Sequence, residues 1–164
     1  MTPLTLRPLR WTDWGFARRL AADPVTRAMS EDPASPTTLG HLRWMARHVA
    51  HATAWVAIGD RQASWFRFNR LGLAQVKQDA RQRLWLGVTV APEWRGCRLA
   101  QPLIEAATQQ AFAQWPLEPA LWARIKFANE ASIKAFSAAG YIGSKLDSEG
   151  YWVLVRTRNR KAAA

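Results

Sequence analysis

A chain of 164 residues that is 49% hydrophobic is long enough for one domain with a real core, and short for two. Its 23 basic residues against 12 acidic give a net charge of +11, which points to polyanionic partners, yet no RNP, KH, zinc-finger or basic-region pattern accompanies it, so nucleic acid is not expected. There is no run of 18 apolar residues and no secretory leader pattern, and the single cysteine, Cys97, excludes an internal disulfide and a CxxC metal site; the expectation is a cytoplasmic protein with no membrane span and no metal.

In chain order, Leu4 to Leu9 alternates and predicts the first strand, with Pro8 marking its end or an edge. Thr12 or Asp13 can cap a helix running to about Ala22, and Pro24 stops or restarts it. Val25 to Ala34 is turn-rich at Ser30-Glu31-Asp32-Pro33 and predicts a loop. Ser35-Pro36 opens a second helix to about His51, with Leu39, Leu42, Trp44, Met45 and Val49 inward and Arg43, Arg47 and His48 outward. His41, His48 and His51 lack a metal-ligand spacing and are expected to be structural. Ala54 to Ile58, a turn at Gly59-Asp60-Arg61-Gln62 and Ala63 to Arg70 read as a hairpin, and Leu71 to Gln82 as a loop or weak strand extension.

The stretch from Arg83 to Trp115 organises the chain. Leu84, Leu86, Val88 and Val90 alternate in a strand; Pro92 and Gly96 turn the chain out of the sheet; Leu103, Ile104, Ala107, Ala111 and Trp115 then share one helical face. A strand that passes through a short turn into a helix start holds anions, because the first helical amides lack internal partners and the dipole is positive there. Arg95 and Arg98 add full charges. Leu121 to Phe127 predicts a further strand, Ala131 to Ala139 a short helix capped by Asn129 and ended by Gly140, and Tyr151 to Arg158 the last strand. Arg156, Arg158, Arg160 and Lys161 read as solubility charges, and the expected division is one domain over residues 1–158 with a basic tail over 159–164.

Arg95-Gly96-Cys97-Arg98-Leu99-Ala100 resembles the R/Q-x-x-G-x-G/A pyrophosphate loop of the GNAT superfamily, the acyl-CoA-dependent N-acetyltransferases, except that Arg98 stands where the family usually has glycine. Val88-Thr89-Val90-Ala91-Pro92 suits that family's preceding strand. Ala123 to Phe136, ending at Ala139-Gly140-Tyr141, is similar to its next strand, its N-x-x-S/A helix and its closing G-F/Y. The resemblance implies an α/β fold: a GNAT-like mixed, strongly twisted sheet of six or seven strands with helices on both faces. It implies acetyl-CoA as co-substrate, held by Val88, Thr89 and Val90 at the acyl arm, by Arg95, Gly96, Cys97, Arg98, Leu99, Ala100 and Gln101 at the pyrophosphate, and by Asn129, Ser132 and Phe136 along the pantetheine, although helix capping alone explains Asn129 equally well.

Many members carry a tyrosine where this chain has Phe136, and a carboxylate on the central strand where this chain has none, so the catalytic acid and base are not identified. Tyr141, Ser132, Glu31, Asp32 and His41 are the candidates, with Met29, Glu31 and Asp32 as candidate acceptor contacts; Cys97 lacks an assured base beside it. From Asp23-Pro24-Val25 to His41-Leu42-Arg43-Trp44 the chain resembles members that acetylate nucleotide-linked amino sugars, as in pseudaminic acid pathways. The expected partners are a small-molecule amine, favoured as an anionic nucleotide sugar, and a second copy of the chain in a homodimer. A ribosomal-protein-type N-terminal acetyltransferase and a non-catalytic acyl-CoA-binding module are the alternatives.

Overall fold

The structure, a computed structural model, describes residues 4–59 and 70–158. Seven strands among them form one mixed sheet in the order β1-β2-β3-β4-β5-β7-β6. The strands are β1 (Leu4–Pro8), β2 (Ala54–Gly59), β3 (Arg70–Gln78), β4 (Leu84–Val90), β5 (Ala120–Lys126), β6 (Ile142–Leu146) and β7 (Tyr151–Thr157). The helices are α1 (Trp14–Ala22), α2 (Pro24–Met29), α3 (Thr38–Ala50), α4 (Ala100–Gln114) and α5 (Glu130–Ala138). All neighbouring strands are antiparallel except β4 and β5, which run parallel because α4 carries the chain back between them. Pro8 ends an edge strand, where its missing N–H interrupts no central ladder.

An apolar layer covers each face of the sheet. Leu103, Ile104, Ala107 and Ala111 press α4 onto Ala74, Val76, Leu84, Leu86 and Leu121. On the other face Phe16, Ala17 and Leu20 of α1 and Met45 of α3 cover Val56 and Leu73. Each such large side chain contributes about 1.5–3 kcal/mol by leaving water.

Several elements depart from the sequence expectation, each for a local reason. The span from Val25 to Ala34 is not all loop: Asp23 Oδ2 accepts from Thr26 N at 2.8 Å, and with Pro24 in the first turn this starts α2. Asp13 does not cap α1 with its side chain. Its buried carboxylate instead binds Arg7 twice at 2.7 Å, Arg70 at 2.9 Å and the Arg10 amide at 3.0 Å. The segment from Leu71 is no loop, because β3 lies between β2 and β4 and buries Leu71, Gly72, Leu73 and Ala74 in succession; a strand covered on both faces shows no alternation. It is therefore β3 that pairs with β2, and the expected strand at Ala63 to Asn69 lies outside the described residues. The strand β6, at the far edge of the sheet, went unread.

The inward face of α3 also differs. The helix starts at Thr38, with Thr37 Oγ1 accepting from Gly40 N at 3.0 Å, and buries His41, Met45 and His48, while Leu39 and Leu42 are exposed. Hydropathy ranks leucine above histidine, but here His48 has a hydrogen-bond partner and His41 packs between aromatic rings, although its buried Nε2 has no hydrogen-bond partner among the described residues. His41 lies against the rings of Trp14 and Trp44 at 4.6 and 5.5 Å, and His48 Nδ1 is 2.6 Å from Thr53 Oγ1.

Candidate active site

The sheet opens between β4 and β5. These strands pair only at Leu84 with Leu121 and Trp85 with Trp122, after which no pairing between them continues among the described residues. The bonds Asp79 N to Arg83 O and Ala91 N to Leu71 O turn Arg83 and Ala91 toward β3. Because backbone groups alternate in direction along a strand, those of Val88 and Val90 face the other way, into the gap that β5 has left. A central strand thus has backbone donors and acceptors with no neighbouring strand to pair with among the described residues.

Two cavities meet at this gap. One, of about 680 Å³, runs from Val88, Thr89 and Val90 past Arg95, Gly96, Arg98, Leu99, Ala100 and Gln101 to the first turn of α5. The other, of about 780 Å³, lies toward Glu31, Asp32, Asp79, Arg124, Asp147 and Tyr151. Met29, Ser30, Val88, Thr89, Asn129, Ser132 and Phe136 line both. The first cavity gathers every residue expected at the cofactor except Cys97, which is exposed and lines neither cavity. Glu31, Asp32 and Met29, the candidates for an acceptor contact, all line the larger cavity.

Gly96 and Arg98 at the start of α4 both take positive φ, +79° and +58°. Arg98 therefore keeps the backbone path that a glycine would take, and its side chain is exposed and makes no hydrogen bond or ion pair among the described residues. Arg95 is placed differently: its Nη2 donates to Asp23 Oδ2 at 2.5 Å and to Thr26 Oγ1 at 3.1 Å. The Arg95 hydrogen bond, foremost, holds Asp23 down to about 2 against the opposing effect of burial. Asn129 does two things at once. Its Oδ1 accepts from Ser132 N at 3.2 Å, capping α5, while its side-chain NH2 makes no hydrogen bond among the described residues, and the residue lines both cavities.

In the larger cavity the charges are balanced against one another. Asp147 accepts from Arg124 at 2.6 Å, and Glu149 and Glu31 approach the same guanidinium at 3.0 and 3.3 Å, which raises Arg124 and lowers Asp147. Asp79 accepts from Arg83 Nε at 2.8 Å and Trp85 Nε1 at 3.0 Å; these bonds and those from backbone amides outweigh desolvation and hold it near 2. Arg27 donates to the carbonyls of Asp32 and Ala34.

Two expected catalytic groups are elsewhere. Tyr141 is 2% exposed and lines neither cavity; its hydroxyl meets Thr108 Oγ1 at 2.8 Å, and burial pushes it up to about 12. His41 is buried between Trp14 and Trp44, away from both cavities. Phe136, edge-on to Tyr141, supplies an apolar wall at the junction, where the hydroxyls are those of Ser30, Thr89 and Ser132. Ser30, Arg124, Asp147 and Tyr151 were missed by sequence reasoning. The runs Ser30-Glu31-Asp32 and Asp147-Ser148-Glu149 were the available signal, since carboxylates are scarce in so basic a chain.

Among solved structures the fold is shared with spermidine N-acetyltransferase from Vibrio cholerae in complex with CoA and spermine (TM-score 0.78, 17% identity, 94% of this chain and 95% of that one). It is shared too with yncA from Salmonella typhimurium with acetyl-CoA (TM-score 0.76, 16% identity, 99% and 98%). A third is aminoglycoside acetyltransferase AAC(6')-Ib in complex with coenzyme A and kanamycin (TM-score 0.72, 15% identity, 95% of each). No curated protein matches the chain in sequence. Residues 3–142 match the acetyltransferase (GNAT) domain, and with a parted β4 and β5 leading into an amide-rich helix start, the chain belongs to the GNAT acetyltransferase family.

Proposed function

We propose that this protein moves an acetyl group from acetyl-CoA to a primary amine of a small acceptor. The observation that carries the reading is the gap after Trp85 and Trp122, where the backbone of Val88 and Val90 is free of β5 and two cavities join. The residues present fit the cofactor: free strand groups for an amide-bearing arm, first-turn amides of α4 and an exposed Arg98 for phosphates, and the unused Asn129 NH2 beside the arm. Bound acetyl-CoA supplies the acetyl group as an activated thioester. The chain's part is to hold both partners in line and keep water from the junction with Met29 and Phe136.

Among the described residues no carboxylate or histidine lines both cavities, so the acceptor's own pKa sets the fraction of reactive amine. We favour an acceptor without a diphosphate. The guanidiniums of the larger cavity are engaged with Asp79, Asp147, Glu149, Glu31 and loop carbonyls, which leaves Lys77 as its cation without a partner among the described residues. That pattern weakens the nucleotide-linked amino sugar and suits polyamine or aminoglycoside amines, the classes represented by spermine and kanamycin in the structural neighbours.

Thiol release from acetyl-CoA, measured over a panel of a polyamine, an aminoglycoside, a nucleotide-linked amino sugar and a peptide with a free N-terminus, tests this. Expected is release that depends on one of the first two amines, with a rate that rises with pH to that amine's own pKa and the same profile in Glu31→Gln and Asp32→Asn. Release with the peptide or nucleotide sugar alone would overturn the acceptor assignment. An enzyme pKa that vanishes in either variant would overturn the absence of a protein base.

A further inference from the structure

The short helix α2 and the residues around it bridge the gap between β4 and β5, and cations from both sides hold them. From the loop after β4, Arg95 binds Asp23 and Thr26. From the end of β5, Lys126 Nζ donates to Ala28 O at 2.9 Å, and Arg124 approaches Glu31 at 3.3 Å. Met29 and Ser30, at the end of α2, form the wall that both cavities share.

We propose that Asp23 and Arg95 are positioning residues that tie the acceptor wall to the anion-binding loop, so that acetyl-CoA seated in that loop stiffens the wall of the acceptor cavity. This rests on the acetyl-CoA reading above. The geometry behind it is one oxygen: Asp23 Oδ2 accepts from Arg95, from Thr26 N at 2.8 Å and from Thr26 Oγ1 at 3.0 Å. The same atom therefore caps α2 and ties it to the loop. The pair is sheltered, with side-chain exposures of 32% for Arg95 and 14% for Asp23, so solvent screens it little. Arg95 is thus committed to a carboxylate, while Arg98 and the α4 amides remain for phosphate.

Hydrogen exchange of the full chain, with and without acetyl-CoA, tests the coupling in the native protein, in Arg95→Gln and in Asp23→Asn. In the native protein the cofactor is expected to slow exchange both at residues 96–104 and at residues 25–30. Both variants are expected to keep the slowing at 96–104 and lose it at 25–30. Their acceptor KM should rise about tenfold with the cofactor Kd within about threefold, and the double variant should be no worse than either single one. Native slowing confined to 96–104 would overturn the coupling while leaving the cofactor reading intact. Loss of slowing at 96–104 in Arg95→Gln but not in Asp23→Asn would make Arg95 a phosphate ligand and overturn the inference. No slowing at either segment of the native protein would bring down the cofactor reading and this inference together.

Discussion

Arg98 holds a left-handed backbone conformation that costs a non-glycine residue about 1–2 kcal/mol. Glycine there would remove that strain but lose its own chain entropy, so Arg98→Gly is expected to change stability by no more than about 1 kcal/mol. The variant should also bind acetyl-CoA about tenfold more weakly at low salt, since a charge-assisted bond to phosphate is worth about 1.5–3 kcal/mol, and the difference should narrow as salt is added. Calorimetric titration of both proteins checks this; equal or tighter binding by the variant would mean that the guanidinium crowds the site. The contiguous loop 95–101 and the Asn129 to Phe136 run were legible in the sequence because their neighbours in space are neighbours in the chain. The partner of Arg95 was not, because Asp23 lies 72 positions away and nothing in either residue names the other.

Among the elements, β4 matters most, and its position depends on a close approach from β3. A Cβ added at Gly72 would come within 2.5 Å of Thr89 O and 2.9 Å of Leu103 Cδ2. Since the nearer atom is backbone, Gly72→Ala must move β4 or α4, and overpacking of this kind costs about 1–3 kcal/mol. The expected result is a lower denaturation midpoint and, because Thr89 and Val90 line the first cavity, weaker acetyl-CoA binding. Unchanged affinity would mean that β4 shifts away from the cavity without altering it. The strands β1, β4, β5 and β7 and the helices α1 and α4 were readable from alternation and helical spacing. Burial on both faces hid β3, while α2 was hidden by its brevity and its turn-rich surroundings. In α3 the stripe of His41, Met45 and His48 defeated a reading based on hydropathy, since His48 bonds Thr53 and His41 packs between the rings of Trp14 and Trp44.

For the molecule as a whole, part of the large positive charge is structural. Arg158 donates to Phe112 O at 2.7 Å and Trp115 O at 2.8 Å, and Arg156 to Ala139 O at 2.5 Å, so the last strand fastens the C-terminal ends of α4 and α5 where the helix dipoles favour cations. These arginines are not the solubility charges that the sequence suggested. The fold is also acid-sensitive. Burial, then the charge of Lys77, lowers His48 from 6.5 to about 4, against a smaller opposing hydrogen bond at Thr53. Below 6.5 the unfolded chain takes up a proton there that the folded chain refuses. Stability is therefore lost as pH falls from 6.5 toward 4, by about 3 kcal/mol for this residue. His41, lowered mainly by burial, adds to the loss. Asp13 acts at lower pH: burial would raise it, but the bonds and charges of Arg7, the Arg10 amide and Arg70 prevail, so its contribution is lost below 3.8. Melting curves from pH 7 to 4 should fall, and those of His48→Gln should fall less; parallel curves would contradict the assignment.

Thermal unfolding with and without acetyl-CoA reads occupancy of the gap between β4 and β5, because any ligand of the folded state at about 100 times its Kd adds about 2.7 kcal/mol. For a domain of this size that is a rise in Tm of about 5–10 °C. Such a rise is expected, smaller in Arg98→Gly at the same cofactor concentration. No rise at millimolar acetyl-CoA would contradict the assignment of the gap between β4 and β5 as an acyl-CoA site.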